Sequence, residues 1–142
     1  AGLTQSEVIT LASIVDEETS NVAEMPKIAG MYINRLHINM PLQADPTIKF
    51  ATKNFTAHRI YQKWLTIDNP YNTYKYRGLP PGPIRIPSVA AIDAVLNYVH
   101  HDYIYMCAKE DFSGTHNFAK TYQEHQENAA KYAKALNERG IK

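Results

Sequence analysis

The sequence is short of cysteine, of net charge and of long apolar runs, and each shortage excludes something. Cys107 is the only cysteine, so no intramolecular disulfide can form and the 142-residue chain must be held by apolar burial. That length suits one domain burying roughly two thirds of its unfolded surface. The formal net charge of +1, from 15 Lys and Arg against 14 Asp and Glu, gives no electrostatic footing for nucleic acid. No stretch of about 18 apolar residues is present, so no membrane-spanning helix is expected within these residues. The chain opens on Ala1-Gly-Leu directly before a helix cap, and we expect a domain excised from a longer protein whose targeting segment lies elsewhere. His37, His58, His100, His101, His116 and His125 make no His-x-x-x-His pair with an acid and have no cysteine partner, so no metal is expected. There is no Gly-x-Ser-x-Gly elbow, and Cys107 in Tyr103-Ile-Tyr-Met-Cys-Ala108 reads as a buried strand thiol. Gly78 and Gly82 sit among prolines that lack N–H donors, so no phosphate-cradling loop and no cofactor are expected.

Tyrosine is what the sequence has in excess: ten, against four phenylalanines and one tryptophan. Such rings pack half-buried in many folds and also line sugar or peptide grooves. Along the chain, Thr4-Gln-Ser-Glu7 is a capping box that opens a helix to about Glu18. A second helix from Glu24 to Pro26 onward, with Ile28, Met31, Tyr32 and Leu36 on one side, ends near Asn39. Pro41 and Pro46 hold the next segment extended, and Thr47 to Phe50 reads as a short strand. The Thr56 cap with Ile60 and Trp64 predicts a helix over Ala57 to Leu65. Tyr71 to Ser88 has no regular period and reads as a long ordered loop, of the kind that binds. Ser88 caps a helix to about Asn97 whose buried side is Val89, Ile92, Val95 and Leu96. Tyr103–Ala108 and Thr115–Phe118 read as a hairpin. A second capping box, Thr121-Tyr-Gln-Glu124, opens a last helix with Tyr122, His125, Ala129, Tyr132 and Leu136 in one stripe, stopped by Gly140. The expected fold is α+β: a single compact domain over residues 1–142, a small mixed β-sheet and several packing helices.

Within the first helix one acid stands apart. At about 100° per residue, Val8, Leu11, Ile14 and Val15 form a stripe that Glu18 continues. Glu17 falls on the opposite face with Ser6, Thr10 and Ser13, and Asp16 flanks the stripe; both read as a solvated helix end. An acid held against apolar neighbours has its charged form disfavoured, which makes it a proton donor near neutral pH. Polar residues that could join Glu18 are Gln43, Asp45 and Thr47 from the extended segment, Tyr71, Asn72 and Tyr74 from the loop, and His116 and Asn117 from the hairpin. Each has an ordinary structural explanation as well: Asp45 before Pro46 fixes a turn, Asn72 makes an Asx-turn, His116 is a satisfied sheet residue.

Six motifs in order, Leu11-Ala-Ser-Ile-Val-Asp-Glu-Glu-Thr19, Asn34-Arg-Leu36, Pro41-Leu-Gln-Ala-Asp-Pro-Thr47, Tyr71-Asn-Thr-Tyr74, Gly78-Leu-Pro-Pro-Gly-Pro-Ile84 and His116-Asn-Phe118, resemble the MltG (YceG-like) endolytic murein transglycosylases over nearly the whole chain. The resemblance implies that Glu18, at the motif's acid, is catalytic, at the end of the first helix. It implies a lyase cleaving peptidoglycan strands between N-acetylmuramic acid and N-acetylglucosamine to leave a 1,6-anhydromuramyl end. It also implies a protein on the extracytoplasmic, periplasmic face of the bacterial cytoplasmic membrane, anchored by an N-terminal helix and carrying a LysM-like region, neither of which this sequence contains. Cell-wall synthesis enzymes are the partners it allows. Asp16-Glu-Glu18 stands where the family commonly has Glu-Lys-Glu, which leaves the catalytic position intact in more acidic surroundings. Three other readings stay open: a hydrolytic muramidase with Asp45 as second carboxylate, a non-catalytic glycan-binding module on the aromatic loop, and a pyridoxal-phosphate lyase on Lys49.

Overall fold

The computed structural model describes residues 2–56 and 60–140. Three helices lead, α1 (Gln5–Glu18), α2 (Met25–His37) and α3 (Asp45–Thr52), followed by a 3₁₀ turn at Gln62–Trp64, α4 (Val89–Leu96), strands β1 (Tyr105–Ala108) and β2 (His116–Ala119), and α5 (Tyr122–Glu138). The class is α+β. No described helix is long and apolar enough to cross a membrane.

The Thr4 capping box forms: Thr4 Oγ1 accepts the Glu7 N–H at 3.2 Å and Glu7 Oε1 accepts the Thr4 N–H at 2.9 Å. From Thr10 to Val15 the helix is buried on every side. Thr10 and Ser13, on the face opposite the apolar stripe, are therefore also inside; Ser13 Oγ donates to Thr10 O at 2.6 Å and accepts the Ile84 N–H at 3.0 Å, pinning the proline-rich loop. Asp16 is likewise not solvated, since it accepts the Ser88 N–H at 2.7 Å beside Arg85. Leu11, Ile14 and Val15 meet Ile28, Met31 and Ile33 of α2 and Ala91, Ala94 and Val95 of α4 in one core. Burial of each large aliphatic side chain contributes about 1.5–3 kcal/mol.

Several expected elements differ. Thr47–Phe50 is not a strand but the middle of α3. Pro46 in the first turn needs no N–H donor and Asp45 suits the positive helix end, so a signature read as extended is a helix start. The buried side of α4 is Ala91, Ala94 and Val95, while Val89 and Leu96 are exposed. Small residues let α4 approach α1 and α2 closely. Of the expected helix over Ala57 to Leu65, residues 57–59 lie outside the described residues and the rest is the single 3₁₀ turn. The sheet, expected to be mixed, is one antiparallel hairpin among the described residues, with Cys107 opposite Asn117 and Ala108 opposite His116. Thr121 caps α5 through the Glu124 N–H, but the Glu124 carboxylate takes the Thr121 hydroxyl and not its N–H, so the second box is half made. Cys107 is half-buried, not buried.

One close approach fixes how α2 sits. A Cβ on Gly30 would lie 2.2 Å from the Val99 carbonyl oxygen and 3.0 Å from His101 Nε2. Only glycine lets the segment after α4 cross α2 there, and that segment is anchored by Val99 N–H to Pro26 O at 3.0 Å.

Candidate active site

Glu18 ends α1 and faces a cavity of about 430 Å³. Tyr32 Oη, from the buried face of α2, donates to Glu18 Oε1 at 2.5 Å. Burial lifts the Glu18 carboxyl from 4.5 to about 7; the Tyr32 hydrogen bond opposes the rise, Asp45 adds to it, and His116 and Lys49 act against it. The same enclosure, with Glu18 as neighbour, pushes the Tyr32 hydroxyl well above its ordinary range, so it remains a donor. The acid thus keeps its proton up toward neutrality, beside a hydroxyl that remains a donor.

One turn along α2, Arg35 is a buried cation. Its guanidinium donates to Ile104 O at 2.6 Å, Pro41 O at 3.0 Å and Leu42 O at 2.9 Å, which satisfies the charge and clamps β1's approach to the segment leading into α3. That segment brings Gln43 and Asp45 to the cavity. Gln43 has φ +50°, a conformation side chains seldom adopt, and its N–H reaches Thr73 O at 3.2 Å. Asp45 sits exposed at the rim and accepts the Tyr74 hydroxyl at 2.6 Å. Loss of hydration against the cavity walls raises the Asp45 carboxyl, with the Tyr74 bond and Lys49 pulling it back.

Of the residues singled out by sequence, Glu18, Gln43, Asp45, Tyr74 and His116 line the cavity, and Thr47, Tyr71, Asn72 and Asn117 do not. Thr47 is fully buried, bonded to Ala44 O at 2.6 Å and to Thr73 Oγ1 at 2.8 Å, which ties the Gln43–Asp45 turn to the Tyr74 loop. Asn72, also fully buried, donates to Leu65 O and Ile67 O and accepts the Tyr74 N–H at 2.9 Å, so it shapes the loop that carries Tyr74. Tyr71 packs on Phe50, ring centroids 4.8 Å apart. Asn117 donates to Glu110 Oε2 at 2.8 Å. Thr47 and Asn72 thus support lining residues, while Tyr71 and Asn117 pack away from the cavity.

Sequence reasoning missed the opposite wall. Tyr105 of β1 stacks on His125 of α5 at 5.1 Å, and Tyr122 and Tyr132 extend this aromatic surface. The stripe on α5 was legible, but nothing local distinguishes a stripe facing a cavity from one facing a core; no α5 residue is buried. Burial and the Arg35 charge lower the His125 pKa, and its Nδ1 is the buried side-chain polar atom without a partner among the described residues. Tyr32 and Arg35 were hidden in the periodic face of α2. A smaller cavity of about 240 Å³, with Lys109, Phe112 and Thr115 in its walls, shares Glu18, Ala108, His116 and Tyr132 with the first. Glu18 and His116 lie where the two meet. Among the described residues no group of three His, Cys, Asp or Glu side chains is arranged to hold a metal ion.

A sequence profile of the YceG-like family matches residues 1–131. The chain is 41% identical over 132 residues to an endolytic murein transglycosylase of Bacillus subtilis (strain 168), covering 93% of this chain and 36% of that protein. It is 34% identical over 134 residues to an endolytic murein transglycosylase of Streptococcus pneumoniae serotype 2, covering 92% of this chain and 24% of that protein. The chain thus spans only a minor part of the length of these relatives. Among solved structures, a YceG-like protein of Listeria monocytogenes superposes with a TM-score of 0.79 at 36% identity, over 86% of this chain and 39% of that one.

Proposed function

This chain belongs to the YceG-like family, and from that premise we propose that it carries a lytic transglycosylase site acting on peptidoglycan, with Glu18 as general acid and then base. The observation that carries the reading is the Glu18 carboxyl, raised to about 7 by burial where it forms part of the wall of two cavities. With Oε1 taken by Tyr32, Oε2 carries the proton. That proton goes to the glycosidic oxygen as the C1–O bond breaks and positive charge develops on the muramyl ring. The ring's own C6 hydroxyl then closes on C1, and the Glu18 carboxylate takes the hydroxyl proton, which returns the acid to its starting form. No water is consumed. The nucleophile is tethered to the electrophile, so proximity replaces a second catalytic carboxylate. Gln43 and the Asp45–Tyr74 pair supply negative potential toward the developing cation, and the Tyr105, Tyr122 and Tyr132 rings give sugar faces a surface to stack on.

The full proteins' location at the extracytoplasmic face of the membrane, and any cell-wall synthesis partners, belong to this same proposal. A second reading rests on Asp45, which shares the cavity and acts on Glu18: a hydrolytic muramidase that uses it as base. Its carboxylate is already bonded to Tyr74 at the rim, which favours the single-acid route. Mass spectrometry of digested glycan strands separates the two. Anhydro ends, lighter by one water than hydrolysed ends, are expected, and they persist in Asp45→Asn at reduced rate. Reducing ends lost in Asp45→Asn would establish the hydrolase instead.

A further inference from the structure

Glu24 lies just before α2, 92 residues in sequence from His116, and its carboxylate does nothing for its own helix: it makes no cap bond there. It reaches instead to β2. Oε2 accepts the His116 backbone N–H at 2.8 Å and Oε1 accepts from the ring Nδ1 at 2.7 Å, with both side chains only 10–11% exposed. Two charge-assisted bonds to one residue, one to backbone and one to ring, fix the imidazole in position and in rotation. They also fix its chemistry. A carboxylate only accepts, so Nδ1 keeps its proton whether the ring is neutral or charged, and Nε2 on the far side of the ring is the atom left to bind or exchange protons. His116 lines both cavities at the point where they meet beside Glu18.

We propose that Glu24 is a positioning residue for strand cleavage: it sets His116 as the Nδ1–H tautomer and leaves Nε2 to accept a hydrogen bond from a hydroxyl or amide N–H of the sugar seated beside Glu18. This rests on the functional reading above. A merely structural Glu24 is the competing explanation, because the corner between α1 and α2 also touches the hairpin turn through Thr19 Oγ1 to Gly114 O at 3.3 Å. A purely anchoring Glu24 would matter whatever stands at 116; a positioning Glu24 matters only through the ring.

The test is a double-mutant cycle on kcat/KM for purified glycan strands, with Glu24→Gln, His116→Ala and the double variant, each checked for folding by its thermal midpoint. Alongside it, the ¹⁵N shifts of the His116 ring nitrogens are recorded at a pH where the ring is neutral. Misplacing the ring costs on the order of tenfold or more in the wild-type background. In the His116→Ala background the same change costs nothing further. In the wild type Nδ1 gives the protonated signature and Nε2 the unprotonated one. Glu24→Gln, whose amide can donate to Nδ1, shifts the population toward Nε2–H. Glu24→Asp, which keeps an acceptor-only carboxylate, retains the wild-type pattern and serves in the cycle should Glu24→Gln not fold. Additive losses, or an Nε2–H ring in the wild type, overturn the proposal. If the wild type cleaves no strand, the functional reading fails first, and the ring shifts alone then decide whether Glu24 orients His116.

Discussion

A carboxylic acid donates a proton near neutral pH only if its surroundings keep it neutral there, and at Glu18 the balance is burial against the hydroxyl of Tyr32. The acid must start protonated, so the cleavage rate falls as pH rises through about 7, read as the basic limb of a kcat–pH profile. The charges bearing on that limb are Asp45 and Lys49 of α3 and His116 of β2. Stability follows the same proton. Folding raises the carboxyl's pKa, so the stability that Glu18 contributes is present below 4.5 and is lost as pH climbs through about 7. Glu18→Gln lacks this loss and gains, relative to the wild type, on the order of 1–3 kcal/mol between about pH 5 and about pH 8, measured by denaturant melts. Tyr32→Phe removes the largest influence holding the pKa down; its basic limb moves to higher pH, and kcat falls by about tenfold because the carboxyl is no longer held in register. An unmoved limb would show that Tyr32 does not bond the acid. Helical phase alone singled out Glu18, since one acid on an apolar stripe is a local contradiction visible in sequence. Tyr32 on the same kind of stripe is no contradiction, and its hydroxyl's partner fourteen residues away was illegible.

At the scale of elements, what could be read was what short-range chemistry dictates. Thr4 with Glu7, Ser88, Thr121 and Gly140 mark helix ends because their hydrogen bonds or backbone freedom act within one turn. The strand expected at Thr47–Phe50 failed because Pro46 is compatible with both an extended chain and a helix start, and burial of Thr47 and Ile48 against the rest of the fold decides between them. The face of α4 failed for a related reason: hydrophobicity ranks Val89 and Leu96 above Ala91 and Ala94, whereas the close packing selects the small residues. Two substitutions test these supports. Gly30→Ala forces a methyl onto the Val99 carbonyl and lowers stability by about 1–3 kcal/mol, at the upper end because the obstacle is backbone. Asn72→Ala strips the Leu65 and Ile67 carbonyls and the Tyr74 N–H of their partners at a fully buried position and costs roughly 2–4 kcal/mol, with activity lost through displacement of Tyr74. A melt unchanged from wild type in either case contradicts the packing described.

Across the whole molecule, the cavity is assembled from pieces that the sequence keeps far apart: the end of α1, the middle of α2, the turn into α3, Tyr74 of the long loop, the hairpin and α5. The ordered motifs made the assembly recognisable as a set, but which members face inward depends on register and crossing. For that reason the sequence places Thr47, Tyr71, Asn72 and Asn117 with the lining residues and leaves out Tyr105 and Tyr132. The chain spans 36% of the Bacillus subtilis relative and 24% of the pneumococcal one, so activity of these residues by themselves is itself informative. The most direct measurement is release of soluble muropeptide-bearing fragments from purified peptidoglycan sacculi by this chain and by Glu18→Gln. The wild type releases fragments with anhydromuramyl ends, and Glu18→Gln, folded and still binding glycan, is slower by roughly 10²–10⁴-fold. Release by Glu18→Gln at the wild-type rate would contradict the account.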